Sequence, residues 1–190
     1  MAAAVNGVPI GADRVERPLW SGSMVPMIRI AGPGDFAATS RIEEAADRLL
    51  VESLKPASWP PAATSEQRAA APGFTLVAEV DGQIVGFAQV LEVDGAAHLE
   101  QVSVLPEHGR RGVGRALVEA AVAEARRRGH YEVTLRTFAE VAFNAPFYAT
   151  CGFVESTPST PFERGLVETE ERLGLTDVGR RIQMTRRLDE

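Results

Sequence analysis

Three apolar-rich segments follow one another in the middle of this chain, Phe74–Val80, Ile84–Val93 and Ala97–Val104, joined by short turns at Asp81-Gly82 and Asp94-Gly95. An Asp-Gly pair supplies the positive backbone angles that a tight hairpin needs, so the three segments must be antiparallel neighbours in one sheet. An all-helical fold and a purely parallel sheet are thereby excluded. Beyond Pro106 the pattern changes to alternation. Gly112–Arg128 reads as a helix closed by Gly129 and Tyr131–Phe138 as a strand. Ala142–Thr150 follows as a short helix, Gly152–Glu155 as a brief strand, Glu163–Leu173 as a helix and Arg180–Leu188 as a last strand. Upstream, Met27–Ala31 alternates like a strand, and Asp35 offers itself as the N-cap of a helix over Phe36–Leu54. Lys55–Gly73, with four prolines, reads as irregular with one short Ala-rich helix at most. The expected fold is α/β, a mixed and mostly antiparallel central sheet of about seven strands flanked by helices. Residues 27–190 form its single domain, and 1–26 read as a flexible N-terminal extension.

Composition removes whole classes of function. A formal charge of −6 over 190 residues argues against a nucleic-acid binder, which needs a basic surface to release counterions. No run of apolar residues approaches the length of a membrane span, and Asp13, Arg14, Glu16 and Arg17 interrupt the start too often for a signal peptide. One cysteine, Cys151, rules out an internal disulfide, which makes a reducing cytoplasm the expected compartment. No spacing of His or carboxylates calls for a metal. The charge is also unevenly placed. Between Pro106 and His130 six arginines face three glutamates, a local +3 that leaves −9 for the rest. That basic island suits an anionic ligand, although Arg126–Arg128 also suit the C-terminal dipole of a helix.

The island centres on Leu105-Pro106-Glu107-His108-Gly109-Arg110-Arg111-Gly112-Val113-Gly114-Arg115-Ala116-Leu117, where a strand feeds a helix. Unbonded amides and the positive end of the helix dipole converge at such a junction and favour phosphate or pyrophosphate. Glycines let the oxygens approach closely, and arginines add charge-assisted bonds. A P-loop is excluded because Arg115-Ala116 stand where Lys and a hydroxyl are required. A Rossmann fingerprint fails too, since Leu117 occupies its third glycine position and the preceding strand comes from a meander.

The same stretch resembles the acyl-CoA loop of the GNAT superfamily of N-acetyltransferases, [RQ]-x-x-G-x-[GA]. Arg111, Gly112, Val113 and Gly114 fit its second half, while Gly109 stands at its first position in place of Arg or Gln. Some thirty residues later Asn144-Ala145-Pro146-Phe147-Tyr148-Ala149-Thr150-Cys151-Gly152-Phe153 resembles a shortened form of that family's N-x-x-A-x-x-F-Y-x-x-x-G-F motif. The resemblance spans Met27 to Leu188 and is densest over Leu99–Phe153.

The resemblance implies a GNAT-like acyltransferase fold and transfer of acetyl from acetyl-CoA to a primary amine by direct attack. The strand Leu99–Val104 would splay from Val133–Phe138, and pantetheine would pair with the backbone at Val102, Ser103 and Val104. Pyrophosphate would sit on the amides of Gly109, Arg110, Arg111, Gly112, Val113, Gly114 and Arg115, with Asn144 and Phe147 also contacting the cofactor. Tyr148 would be the acid that meets the leaving thiolate. An alkylamine with a pKa near ~10 must first lose a proton. Period-2 alternation puts His98, Glu100, Val102 and Val104 on one face of their strand, leaving Glu100, His98 or solvent as the base. Cys151 reads as a small buried residue and not as a nucleophile. The acceptor would be a small-molecule or peptide amine drawn to the acidic remainder, in a groove that includes the loop of Trp59 and the region after Pro158. A homodimer is compatible with the resemblance. The rival expectation is a non-catalytic acyl-CoA-binding module of the same fold.

Overall fold

The computed structural model describes residues 25–188. The N-terminal extension expected over 1–26 lies, apart from its last two residues, outside the described residues. Seven strands form one sheet: β1 Met27–Ile30, β2 Gly73–Val80, β3 Gln83–Val93, β4 Ala96–Val104, β5 Glu132–Phe138, β6 Val154–Ser156 and β7 Arg181–Arg187. Their spatial order is β1-β2-β3-β4-β5-β7-β6. Every neighbouring pair is antiparallel except β4 and β5. The expected mixed, mostly antiparallel sheet is therefore present. Both Asp-Gly turns adopt the mirror-image form, with φ of 51° and 77° at Asp81 and Gly82 and 51° and 82° at Asp94 and Gly95.

Helices cover both faces. On one lies α3, Val113–Arg127, whose Leu117, Val118 and Ala121 are buried against Leu76, Ala88, Leu99, Val102 and Leu135. The short α4, Ala145–Thr150, packs on the same side. The other face carries α1, Phe36–Leu54, with Ile42, Ala46 and Leu50 buried at helical spacing. Its neighbour α2, Ser65–Ala70, is opened by a reciprocal Thr64/Gln67 capping box. The C-terminal helices are α5, Pro161–Arg172, and α6, Leu175–Val178.

Three details differ from the sequence reading. Asp35 stands at the N-cap position of α1 but its side chain makes no cap bond; the carboxylate accepts from the Gly32 amide at 2.6 Å and from Arg29 at 2.6 and 3.1 Å, bracing the preceding turn. The helix expected from Ala142 begins at Ala145, because Pro146 has no amide to give and is tolerated only in a first turn. One turn of helix at Leu175, between Gly174 and Gly179, is too short to show a periodicity.

Gly86 sets how closely α3 approaches the sheet. A Cβ there would stand 2.9 Å from the Ser103 carbonyl, 3.1 Å from Leu117 Cδ1 and 3.2 Å from Val104 Cγ2. Gly86→Ala should cost about 1–3 kcal/mol by overpacking, read as a lower urea midpoint. An unchanged midpoint would show that helix and strand yield freely.

Candidate active site

β4 and β5 share only two residue pairs, Ala97–Val133 and His98–Thr134. Beyond them the strands diverge, and the sheet opens into a wedge with its apex at His98. The antiparallel ladder on the other side of β4 contains a one-residue irregularity: Gln101 pairs with Gln89 but Leu99 pairs with Val90, so Glu100 is the extra residue of a bulge. This corrects the expected alternation. Val102 and Val104 do not share a face with His98; they join Ala97 and Leu99 in the core under α3. His98, Gln101 and Ser103 look to the opposite face, where Gln101 Nε2 donates to Ser103 Oγ at 2.9 Å. The backbone alternates as well. Leu105 N–H donates to Val85 at 2.8 Å, which by the antiparallel pattern turns the polar groups of Ser103 towards β3 and those of Val102 and Val104 towards the wedge. Ser103 is thus removed from the expected set of backbone contacts.

At the mouth of the wedge stands the glycine-rich loop. Gly112 adopts φ +85° as the N-cap of α3, and a Cβ on it would meet no atom within 4 Å. Among the described residues the amides of Gly112, Val113, Gly114 and Arg115 make no backbone hydrogen bond, and Ala116 N–H is the first to return, to Gly112 at 2.9 Å. These donors sit at the positive end of a fifteen-residue helix. Arg110 also has positive φ, at 58°. Two expected contributors are otherwise engaged. The Gly109 amide donates to the Pro106 carbonyl at 3.0 Å. The Arg115 guanidinium reaches away to α4, donating to the Thr150 carbonyl at 2.9 Å and its hydroxyl at 2.7 Å, above the Phe147 ring. Arg115 therefore offers its amide and not its side chain. Arg127 and Arg128 pair with Glu124, and Arg128 also with Glu92, as surface charges at the far end of the helix.

The second motif brings Tyr148 into the interior. Its ring is fully buried, edge-on to Phe147 and Phe153, and its hydroxyl has no hydrogen-bond partner among the described residues. Burial holds its pKa well above the ordinary value, so it is a proton donor and not an anion. Asn144, at the N-cap of α4, accepts from the Thr137 hydroxyl at 3.0 Å while its Nδ2 has no partner among the described residues. Orphaned polar atoms of this kind cost stability, and native interiors keep them where a ligand completes them. Cys151 is buried and its thiol pKa is raised by burial, as suits an inert side chain.

On the face opposite α3 the apex is lined with charge. His98 Nε2 lies 3.8 Å from Glu100 Oε2, and its Nδ1 is 2.8 Å from the Thr134 hydroxyl. Burial pushes His98 down to about 4, against the pull of Glu100, so the ring is neutral at pH 7. Around it lie groups that sequence reasoning missed. Arg68 of α2 is sealed between Glu43 of α1 and Gln89 of β3, over the Phe87 ring. Glu170 of α5 is clamped by Arg136 of β5, at 2.6 and 2.8 Å, and by Arg181 of β7. Phe162 of α5 lies edge-on to His98, ring centroids 5.7 Å apart. Trp59 donates to Asp47 at 3.0 Å and stacks near Phe138, which makes it an anchor for its loop. A fully buried charge on an otherwise apolar stripe was the available signal for Glu43, but its partner is 25 residues away.

Residues 43–153 match the model of the acetyltransferase (GNAT) family. The fold resembles the ribosomal-protein-S18-alanine N-acetyltransferase of Escherichia coli, at a TM-score of 0.62 and 22% identity over 87% of this chain and 96% of that one. A Mycobacterium tuberculosis protein solved in complex with CoA is similar at a TM-score of 0.63 and 20% identity, over 86% and 100%. N-acetylglutamate synthase of Neisseria gonorrhoeae, solved with coenzyme A and N-acetyl-glutamate, gives 0.60 and 19%, over 87% of this chain and 36% of the synthase. Among the described residues no metal-holding cluster occurs, and no helix is long and apolar enough to cross a membrane.

The state of His98 is open to direct measurement. With a folded pKa of about 4 against about 6.5 unfolded, the unfolded chain binds the extra proton between those values. This residue's contribution to stability is therefore intact above pH 6.5 and falls as pH drops towards 4, by about 3 kcal/mol in all. Glu43 and Asp47, pushed up by burial to about 7 and about 6, work in the opposite direction. Imidazole resonances should show His98 neutral throughout pH 5–8; a midpoint above 6 would contradict the burial argument.

Proposed function

This chain belongs to the acetyltransferase (GNAT) family, whose cosubstrate is acetyl-CoA, and on that premise we propose that it transfers acetyl to a primary amine of a small molecule or peptide by direct attack. The observation that carries the reading is the wedge: a sheet that stops pairing after His98–Thr134, with unbonded helix-terminal amides at its mouth. An extended thioester-bearing arm lies in such a gap as a substitute strand, against the polar groups of Val102 and Val104. Pyrophosphate is held by the amides of Gly112, Val113, Gly114 and Arg115, next to Arg110 and Arg111. The open space over Gly112 fits close approach of its oxygens.

An ammonium that becomes an amide loses two protons, one before attack and one from the nitrogen of the tetrahedral intermediate. The departing thiolate gains one, so one proton in all is released to the base. His98, neutral because it is buried, and Glu100 beside it form a pair that receives one proton from the attacking ammonium. Tyr148 supplies the proton that the departing thiolate of CoA takes up, and the second proton of the attacking nitrogen, shed as the tetrahedral intermediate collapses, restores the phenol. A backbone N–H turned into the wedge stabilises the oxygen of the thioester as negative charge develops on it. Asn144 holds the wall of the wedge through Thr137 and offers its unbonded Nδ2 to the cosubstrate. The amine attacks the acetyl carbon itself, so no protein nucleophile takes part. The rival, a binding module without turnover, has no use for a buried phenol with nothing to bond.

Release of free thiol from acetyl-CoA against a panel of amines tests the reading; tight binding with no turnover for any amine would favour the module. Tyr148→Phe should lower kcat about 10- to 1,000-fold with CoA affinity unchanged within threefold. Because the lost hydroxyl has no partner among the described residues, the same variant should be as stable as the parent or slightly more so. Equal loss of affinity and rate would make the tyrosine structural. Gly112→Ala should weaken CoA binding at least tenfold while costing only about 1 kcal/mol in folding, the strain of a side chain at positive φ.

A further inference from the structure

On the same face as His98, two strands further along the sheet, lies a cleft of about 620 Å³ between the β6–β7 edge and the start of α5. Its floor is polar. Gln183 is 97% buried there, exposed at only 3%, and its Oε1 has no hydrogen-bond partner among the described residues. Its Nε2 reaches Ser156 only at 3.4 Å, and Ser156 is bonded to Thr185 at 2.7 Å. The wall is Glu163, buried at 2% exposure, whose Oε2 is fixed by the amides of Ser159 and Thr160 and the Ser159 hydroxyl. Those donors keep it ionised despite its burial. Arg187, exposed and in register with Glu132, is the cation of the lining, which therefore holds two carboxylates and one guanidinium.

We propose that this cleft holds a second, protonated amine of the acceptor, which makes the substrate class a diamine or polyamine and not a simple monoamine. The inference rests on the acetyl-transfer reading for the position of the first amine. An orphaned carbonyl and a fixed carboxylate are both acceptors, and an ammonium brings three donors. An isolated anion meets the wrong complement. The cleft is coupled to the apex through shared neighbours: Thr185 pairs with Thr134 across β5–β7, and Thr134 bonds His98. Phe162 touches His98 and the next residue, Glu163, walls the cleft. From β4 to β7 is two strand spacings, about 10 Å, so the two amines of one flexible chain reach both places.

The test uses the full chain, a series from diaminobutane to diaminodecane, and alkylmonoamines of matched length. Binding is followed by calorimetry in the presence of CoA and turnover by thiol release. Diamines should bind at least tenfold more tightly than matched monoamines, with an optimum at intermediate length. Gln183→Met, which removes the unpaired oxygen and only one weak contact, should erase that preference without lowering the melting temperature. Glu163→Gln should do the same, and its effect on the α5 cap is read separately from melting. If diamines and monoamines bind alike, or the preference survives both variants, the proposal falls while acetyl transfer stands. If the preference depends on Gln183 but no amine is acetylated, the cleft assignment stands and the catalytic reading falls.

Discussion

Parallel strands lying side by side ordinarily pair along their whole length, because every backbone amide left unbonded in an interior is costly. In this chain β4 and β5 pair at two positions and then part, and much of the surrounding structure maintains that separation. Glu100 bulges out of β4 at the apex, bending the strand and increasing its twist where the gap begins. Gly86 lets α3 sit close enough to lock the far half of β4 under Leu117. On the other side Glu170 ties β5 and β7 together through Arg136 and Arg181. The wedge is a product of packing on both faces.

The two faces divide the chemistry. The side under α3 is apolar and supplies rigidity. The opposite side buries Glu43, Arg68, His98, Arg136 and Glu170 at 5% exposure or less, most of them in ion pairs. Buried ion pairs seldom add net stability over apolar packing, since desolvation offsets their attraction. Their retention here is more readily understood as positioning. They fix α1, α2 and α5 by geometry-dependent bonds around a neutral imidazole, where an apolar interface would allow sliding.

The strands, the turns and the glycine loop were legible because each writes a local signature: period-2 alternation, Asp-Gly, and a Gly/Arg run before an apolar helix. Tyr148 and Asn144 were legible through a motif. What escaped was non-local. Nothing around Glu100 in the sequence marks it as an extra residue, yet that single insertion moved Val102 and Val104 to the other face. Arg115 looked like an anion ligand until α4 was seen to lie within its reach, 35 residues on. Arg68 and Glu170 resemble surface charges on short amphipathic helices, and only the tertiary fold discloses their partners. Gln183 sits in an ordinary alternating strand, so its unmet carbonyl is visible only once β6 and α5 are in place.

A sheet fastened at one end of a gap behaves as a lever. From His98 to Val104 is six residues, about 20 Å of extended chain. A rotation of about 3° around the two fastened pairs then shifts the mouth by about 1 Å while the apex stays still. Movement at the rim is thereby mechanically decoupled from the placement of His98 and Glu100 at the apex, and a loose doorway can stand before a tightly held bench.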